Sequence, residues 1–313
     1  MKLSIIIPAK NEEENIDTIY NTVKTVFENI RYEVIFIDDG SDDKTFKVLE
    51  SVYKRDKDHV KVVCFSRNFG KGAAIYAGLE SAVGEYTAII DADMEQNPSY
   101  LLKMLTFLDN NPDYDQVAMK IKERKAGSAI KRFGGKMFYK VMNVLSDTKF
   151  SNDVSDFRMF RSNVREALLS LPEKNRFSKG IFSWIGFNTK LMEYEVGTRT
   201  KGVTKFNFKA SVKYALNGIV GFSVKPLRVA TVLGVITSIS GFIYLLYIII
   251  KTITVGPDAP GFATIVCLIL FLGGIQLLTI GILGEYLGKT FVETKNRPVY
   301  VARKKLGLDE DIL

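Results

Sequence analysis

The order of apolar and polar positions predicts alternating strands and helices between residues 4 and 90. Short apolar runs, typical of buried parallel strands, occur at Ser4–Ile7, Tyr32–Ile37, Val60–Phe65 and Tyr86–Ile90. Apolar residues at helical spacing follow the first three runs, at Asn11–Ile30, Asp43–Lys54 and Lys71–Ala82. Strands alternating with helices indicate an α/β fold built on a doubly wound sheet.

Polar clusters stand where each predicted strand ends. They are Pro8–Glu12, Asp38–Ser41, Arg67–Lys71 and Asp91–Glu95. Ligands of doubly wound sheets bind beyond the carboxyl ends of the strands. Because all four clusters belong to that edge, we expect them to form one binding site.

Two long stretches without charge predict a C-terminal hairpin of two transmembrane helices. Val229–Ile250 and Gly261–Leu283 are each long enough to cross a bilayer core of ~30 Å, and the short loop Lys251–Pro260 joins them. The alternative is a buried helical pair in a soluble protein. Two uncharged stretches of this length disfavour that alternative.

Charge gives the hairpin an orientation. The chain has 43 Lys and Arg against 35 Asp and Glu, a net charge of +8. Basic residues flank both outer ends of the hairpin, and the positive-inside rule therefore places both ends and the N-terminal domain in the cytosol. These flanking residues are Lys225, Arg228, Lys289, Lys295, Arg297, Arg303, Lys304 and Lys305.

The composition divides the chain into four expected parts. They are a catalytic α/β domain at 1–205, juxtamembrane amphipathic helices at 206–228, the two transmembrane helices at 229–288 and a cytosolic tail at 289–313. The basic, aromatic stretch 120–150 is expected to be a loop plus an amphipathic helix. The basic residues of the chain are dispersed and enriched between 120 and 228, without a nucleic-acid signature. The positive net charge therefore favours a membrane surface and phosphate-bearing substrates over nucleic acid.

Asp91-Ala92-Asp93 is the strongest candidate for chemistry. If the segment is extended, the two carboxylates face the same way, and Glu95 continues that register. Such oxygen ligands suit Mg²⁺ or Mn²⁺. A solvated turn is the alternative, which the position at the end of a buried strand disfavours.

Two further clusters favour a nucleotide over a dinucleotide cofactor. Asp38 ends the second strand, where its carboxylate would suit hydrogen bonds from a base or a ribose, while Ser41 or Asp42 is interpreted as the cap of the next helix. Arg67–Gly72 opens the third helix, where free amides and Lys71 favour an anion. The sequence contains no Walker A motif here, and no G-x-G-x-x-G follows the first strand.

Together these motifs resemble those of the inverting family 2 glycosyltransferases with the GT-A fold. They read Pro8-Ala9-Lys10-Asn11-Glu12, Asp38-Asp39-Gly40-Ser41, Arg67-Asn68-Phe69-Gly70-Lys71 and Asp91-Ala92-Asp93. Later motifs resemble the polyprenyl-phosphate members, which include dolichyl-phosphate mannose synthases and bactoprenol glucosyltransferases. These are Asp156-Phe157-Arg158-Met159-Phe160, Arg176-Phe177-Ser178-Lys179-Gly180, Trp184-Ile185-Gly186-Phe187, Gly202-Val203-Thr204-Lys205-Phe206 and Ser223-Val224-Lys225-Pro226-Leu227-Arg228.

The chain departs from the family pattern at two places. The family commonly has glutamine where this chain has Glu95, which keeps an oxygen ligand and adds negative charge. The metal preference is therefore open. Thr204 stands where the family has serine, and it preserves the hydroxyl.

The resemblance implies an inverting transfer of a sugar from a nucleotide donor. A mixed GT-A sheet would bind a UDP-sugar, most simply UDP-glucose, or a GDP-sugar. The implied donor-binding residues are Pro8, Ala9, Asn11, Glu12, Asp38, Asp39, Lys71, Asp91 and Ala92. The implied metal ligands for Mg²⁺ or Mn²⁺ are Asp91, Asp93 and Glu95.

The implied acceptor is a polyprenyl phosphate, such as undecaprenyl phosphate in a bacterial cytoplasmic membrane. A phosphate monoester is largely a dianion at neutral pH, since its second pKa is ~6, so a strong general base is dispensable. Candidate cations for positioning it are Arg124, Lys131, Arg132, Arg199, Lys201 and Lys205. The implied catalytic residues are Asp93, Asp156, Arg199 and Lys205, and Asp156 either orients the acceptor, acts as a base or pairs with Arg158.

Several alternatives stay open at this point. The donor sugar is glucose, N-acetylglucosamine or mannose, and a non-catalytic membrane scaffold is the alternative from another class. A processive polysaccharide synthase would need a Q-x-x-R-W motif and more spans, which this sequence lacks. Relatives suggest a homo-oligomer, with a tetramer as one form, and Gly273-Gly274, Gly281 and Gly284 would allow close helix packing.

Overall fold

The computed structural model describes residues 1–122, 154–174, 176–195, 218, 220–221, 223–256 and 261–308. Most of the stretch 120–150, most of the juxtamembrane stretch 206–228 and part of the loop between the two long helices lie outside these residues. The expectations for those stretches therefore stay predictions.

The first half of the catalytic domain alternates strands and helices as the sequence predicts. Its elements are β1 (Leu3–Ala9), α1 (Ile16–Val26), β2 (Tyr32–Asp38), α2 (Thr45–Arg55), β3 (Val60–Phe65), α3 (Lys71–Ser81) and β4 (Tyr86–Ile89). Every residue of β2 is buried, as expected of a parallel strand covered on both faces. The α/β fold class is confirmed.

The second half adds elements that the hydrophobic pattern did not predict. They are α4 (Ser99–Asn110), β5 (Gln116–Ile121), β6 (Val154–Arg161), α5 (Ser162–Ser170), α6 (Ser178–Trp184) and β7 (Thr189–Tyr194). Strand β6 mixes polar and apolar residues and carries two arginines, so its sequence lacks the apolar run of a central strand. It is nevertheless held between two neighbouring strands.

The sheet is mixed, with strand order β7-β5-β6-β4-β1-β2-β3-β8. Strands β4, β1, β2 and β3 run parallel, whereas β6 is antiparallel to both β4 and β5. The carboxyl ends of the four parallel strands therefore open on one edge. β6 runs the other way beside β4, so residues near its beginning reach the same edge.

Two apolar cores cover the two faces of the sheet. Ile5 and Ile7 of β1 face a core shared with α1, α2 and α4, while Ile6 faces a core shared with α3, α5 and α6. This division follows from the alternation of side chains along a strand. Gly78 of α3 packs so closely on Ile6 that a Cβ there would overlap the Ile6 side chain.

We expect Gly78→Ala to destabilise the catalytic domain by about 1–3 kcal/mol, because Ile6 is β-branched and cannot swing away. The thermal unfolding midpoint of the full-length protein in mild detergent measures this effect. Gly288→Ala is the matched control, since nothing lies within 4 Å of the Cβ position there. Equal midpoints for the two variants would contradict the close packing of α3 on β1.

Two long apolar helices follow the catalytic domain. They are α7 (Lys225–Val255) and α8 (Phe262–Thr294), and both extend beyond the predicted spans. In each, the most apolar stretch has the length and composition to cross a membrane and is not buried inside the protein. Side chains such as Phe242, Leu270 and Leu277 are more than half exposed. Apolar surface on this scale indicates association with a membrane.

The chain returns to the catalytic domain after α8. Residues 289–313 were expected to form a tail, but Ala302–Leu306 forms strand β8 and pairs antiparallel with β3 at the edge of the sheet. The segment just before α7 is also tied to α8, because the Tyr286 hydroxyl donates to the Ser223 carbonyl (2.6 Å). Both outer ends of the hairpin therefore lie on the side of the catalytic domain.

Candidate functional site

The loops after β1 and β2 are bound to each other. The backbone amide of Asn11 donates to the Ser41 hydroxyl (2.9 Å), and the Asn11 side chain accepts from the Asp42 amide (2.9 Å). Asn11 has a positive φ of 57°, which asparagine tolerates better than most residues. The Glu12 amide donates to Thr45 (2.9 Å). Asn11 and Glu12 therefore join the loop after β1 to the segment that follows β2.

Asp38 holds the turn that follows β2. Its side chain is 1% exposed, one oxygen accepts from the Ser41 amide (2.9 Å), and the other lies 3.4 Å from the Cys64 thiol. The predicted capping by Ser41 or Asp42 is wrong, because α2 begins later, at Thr45, and the Asp43 carboxylate accepts from the Thr45 amide. A contact between Asp38 and a base stays a prediction.

Asp39 joins the β2 turn to the loop after β3. Its carboxylate accepts from the amides of Phe69 (2.7 Å) and Gly70 (3.0 and 3.1 Å). Burial raises the pKa of this carboxyl, and the two amides offset part of that rise. Gly40 has a φ of +63°, and a side chain there would overlap the backbone of Arg67. The loop 66–70 is therefore set by the β2 turn.

The Asp91 segment is a turn and not an extended strand. β4 ends at Ile89, and Met94 has a positive φ of 61°. The extended register predicted for Asp91, Asp93 and Glu95 is therefore wrong. Instead, the Asp93 carboxylate accepts from the Glu95 amide (3.1 Å).

Gln96, a residue that the sequence did not single out, fixes Asp91. Its amide oxygen accepts from the Asp91 amide, and its nitrogen donates to the Asp91 carboxylate, both at 3.0 Å. The same nitrogen lies 3.3 Å from the hydroxyl of Ser155. Gln96 is 4% exposed. Only its place one residue after Glu95 in the acidic motif could have pointed to it.

Lys71 joins the acids of two distant segments. As the first residue of α3, it places its ammonium 2.5 Å from an Asp91 oxygen and 3.3 Å from an Asp156 oxygen. Burial lowers the pKa of Lys71, but the two carboxylates outweigh it and the net pKa is raised. Lys71 therefore carries a positive charge, and the structure brings Lys71, Asp91 and Asp156 together as one cluster.

Asp156 is also held from the opposite side. The Ser178 hydroxyl, at the start of α6, donates to its carboxylate (2.8 Å). Arg158 is buried, with its guanidinium 3.7 Å from the Phe182 ring centroid. Burial lowers the pKa of Arg158 to about 10, and Asp156 counteracts that shift. The predicted pairing of Asp156 with Arg158 stays a prediction, while the structure gives Asp156 an ion pair with Lys71.

The segment that carries Ser178 packs tightly on the start of α3. A Cβ at Gly72 would overlap the Arg176 carbonyl. Arg176 donates to the carbonyls of Leu168 (3.1 Å) and Leu171 (2.8 Å), and its guanidinium lies 4.1 Å from the Tyr76 ring centroid. This packing fixes Ser178 relative to Lys71.

Some of the remaining predicted site residues lie within the described residues, and others lie outside them. Pro8 and Ala9 end β1, and Ala92 is buried in the Asp91 turn. Six predicted acceptor-site residues lie outside the described residues: Arg124, Lys131, Arg132, Arg199, Lys201 and Lys205. Among the residues that the structure does describe, no three His, Cys, Asp or Glu side chains converge as a metal site.

The edge at the carboxyl ends of the parallel strands carries groups suited to a metal cation and groups suited to an anion. Asp91, Asp93 and Glu95 supply the hard oxygen donors that Mg²⁺ and Mn²⁺ prefer. The positively charged Lys71 and the amides that open α3 favour a phosphate. Carboxylates and a helix start that favours anions, at the same edge of the sheet, suit a metal-assisted transfer from a diphosphate.

Two family models match the chain. Residues 4–169 match the model described as glycosyl transferase family 2, and residues 225–290 match the one described as the GtrB C-terminal hairpin. The first match covers the elements from β1 to α5. The second covers α7 and most of α8.

Relatives match over nearly the whole chain. The putative glycosyltransferase CsbB of Bacillus subtilis is 41% identical, over 96% of this chain and 91% of its own length. The prophage bactoprenol glucosyl transferase homolog of Escherichia coli is 40% identical, over 97% of this chain and 99% of its own length. The bactoprenol glucosyl transferase of Shigella phage SfII is also 40% identical, over 97% and 98%.

Solved structures share the fold. Glucosyl-3-phosphoglycerate synthase from Mycobacterium tuberculosis, in complex with Mn²⁺, UDP-glucose and phosphoglyceric acid, superimposes with a TM-score of 0.51. That match covers 70% of this chain and 77% of the synthase, at 17% identity. At this identity the likeness concerns the GT-A fold alone.

Proposed function

The chain belongs to glycosyl transferase family 2, and we propose that it transfers glucose from UDP-glucose to a polyprenyl phosphate, with inversion at the anomeric carbon. The observation that carries this proposal is the likeness, at 40% identity along almost the full length, to proteins named bactoprenol glucosyl transferases. A catalytic domain and an apolar hairpin on one chain suit a water-soluble donor and a lipid acceptor.

The donor would bind along the edge formed by the four parallel strands. Its diphosphate would lie near Lys71 and the Asp91 turn, while the nucleoside would lie towards Asp38, Asp39 and the β1 residues Pro8, Ala9, Asn11 and Glu12. Asp91, Asp93 and Glu95 would hold Mg²⁺ or Mn²⁺. When bound, such an ion stabilises the negative charge that develops on a departing diphosphate.

The acceptor phosphate would enter beside Asp156. Lys71 and Ser178 contact its carboxylate, so Asp156 is well placed to orient an incoming group. Arg124, Arg132, Arg199 and Lys205 are proposed to bind the phosphate. Because that phosphate is already anionic at neutral pH, positioning and charge neutralisation matter more than proton removal.

The hairpin would hold the catalytic domain against a bacterial cytoplasmic membrane. The chain returns to the catalytic domain after α8, and the segment before α7 is held against α8, as a pair of spans would require. By the positive-inside rule, the basic flanking residues support a cytosolic position for the catalytic domain. A homo-oligomer, such as a tetramer, completes the proposed arrangement.

A donor panel tests the proposed reaction. Full-length protein in mild detergent would be supplied with undecaprenyl phosphate, Mg²⁺ or Mn²⁺, and UDP-glucose, UDP-N-acetylglucosamine or GDP-mannose. We expect UDP-glucose to give the highest kcat/KM, by about 10²-fold, because a pocket rejects a substrate with an added or altered group at about that level. Mass spectrometry and NMR of the lipid product would identify the sugar and its anomeric configuration.

Other outcomes would redirect the proposal. Preference for UDP-N-acetylglucosamine or GDP-mannose would keep the reaction and replace the sugar. No transfer from any of the three donors, with the protein folded, would favour the membrane scaffold. Equal rates without a divalent cation would remove the proposed metal.

A further inference from the structure

Strand β8 does more than extend the sheet, because it begins beside the loop that follows β3. Ala302 pairs with Phe65, and the Ser66 amide donates to the Val301 carbonyl (2.9 Å). The pairing with the returning chain thus continues past the end of β3 into the loop 66–70. That loop carries Arg67 and leads into Lys71.

Tyr300 packs against Phe65, the residue that leads into the same loop. Its ring stacks on Phe65 with a centroid separation of 4.7 Å and an interplanar angle of 22°. Phe65 in turn meets the ring of Phe69 edge-on, at 5.7 Å. Asp39 accepts from the amide of that same Phe69. A continuous contact therefore runs from Tyr300 to the loop that bears the Asp39 hydrogen bonds.

Tyr300 is itself held in place. Its hydroxyl donates to a carboxylate oxygen of Glu80 on α3 (2.8 Å). Burial, and then this hydrogen bond, raise the pKa of Tyr300. The ring therefore lies between α3 and β3, stacked on Phe65, with its hydroxyl hydrogen-bonded to Glu80.

We propose that Tyr300 is a positioning residue for the nucleotide donor, acting through Phe65 and Phe69 on the loop 66–70. This inference rests on the proposed function, which places the donor diphosphate beside Lys71. With Tyr300 in place, the loop holds Lys71, the residue that follows it, in one arrangement before the donor arrives. Without it, donor binding has to order the loop and affinity falls.

Hydrogen exchange tests the positioning without reference to activity. In full-length protein in mild detergent, Tyr300→Ala should speed exchange of the amides in 66–70, and Tyr300→Phe should leave it close to wild type because it keeps the ring. Leu306→Ala is the matched control. Leu306 lies at the opposite end of β8, paired with Val62, and packs on the other core.

Kinetics give the second readout. Tyr300→Ala should raise the KM for UDP-glucose about three- to tenfold, the range expected from losing one aromatic stack, with a smaller change in kcat. Tyr300→Phe should restore the KM, and Leu306→Ala should leave it within about twofold of wild type.

The two readouts separate the failure of this inference from failure of the proposed function. Faster exchange in Tyr300→Ala, together with no turnover of UDP-glucose by the wild type, would support the positioning of the loop and overturn the proposed donor. Unchanged exchange in Tyr300→Ala would overturn the positioning role. Equal effects of Tyr300→Ala and Leu306→Ala on KM would also overturn it, because strand docking alone would then explain both.

Discussion

Asp91→Asn is expected to lower kcat/KM for glucose transfer by about 10²–10³-fold, the usual effect of removing one electrostatic contact to a transition state. Asparagine is isosteric and keeps an oxygen for Gln96, so the turn is preserved. The substitution removes the negative charge that attracts Lys71 and would attract a divalent cation. Steady-state kinetics across a Mg²⁺ or Mn²⁺ titration should also show a higher concentration for half-maximal rate.

Asp17→Asn is the control for the Asp91 substitution. Asp17 is exposed in the first turn of α1, where it pairs with Arg55, and exposed ion pairs contribute little. It changes the net charge by the same amount and should leave kcat/KM within about twofold. Wild-type activity in Asp91→Asn, at every metal concentration, would refute the assignment of Asp91 to the donor site.

Lys71→Met should lower kcat/KM by about 10²-fold, because the ammonium is the cation that lies between the carboxylates of Asp91 and Asp156. Methionine keeps most of the volume but leaves two nearby acids without that charge. The loss should appear in kcat as well as in KM, since Lys71 contacts residues on both the donor and the acceptor side. Kinetics with UDP-glucose and undecaprenyl phosphate varied separately would measure the two.

Lys54→Met is the matched control, since Lys54 is exposed and pairs with Glu50 one helical turn away. Lys71→Arg provides a further comparison, because it keeps the charge and changes only the shape. We expect Lys71→Arg to recover part of the activity. A Lys71→Met variant as active as Lys54→Met would mean that the cluster of Lys71 with Asp91 and Asp156 is structural only.

The sequence predicts the first half of the sheet well because each strand there is covered on both faces. Such strands read as apolar runs, and helices with one apolar face separate them. The β5–β7 region gives no such signal. Arg158 and Arg161 lie within β6 and contact residues distant in the chain, such as Phe182 and Tyr86. A local pattern cannot contain those partners.

The sequence likewise predicts one part of the candidate site and not the other. That four polar clusters meet at one edge follows from parallel topology, and the structure brings them together. The shape of the Asp91 turn does not follow, since it depends on the positive φ of Met94 and on Gln96. The contact of Lys71 with Asp156 joins residues from α3 and β6, so only the resemblance to a family placed Asp156 near the site.

Strand β8 follows both membrane helices in the chain, which constrains how the protein is made. Until the ribosome has passed the hairpin, β3 is the outer strand of the sheet and its edge groups lack their native partner. A chain in which only one of the two helices crossed the bilayer would carry β8 to the far side and leave that edge open to aggregation or proteolysis. Completion of the sheet therefore requires both outer ends of the hairpin to lie on the same side of the membrane.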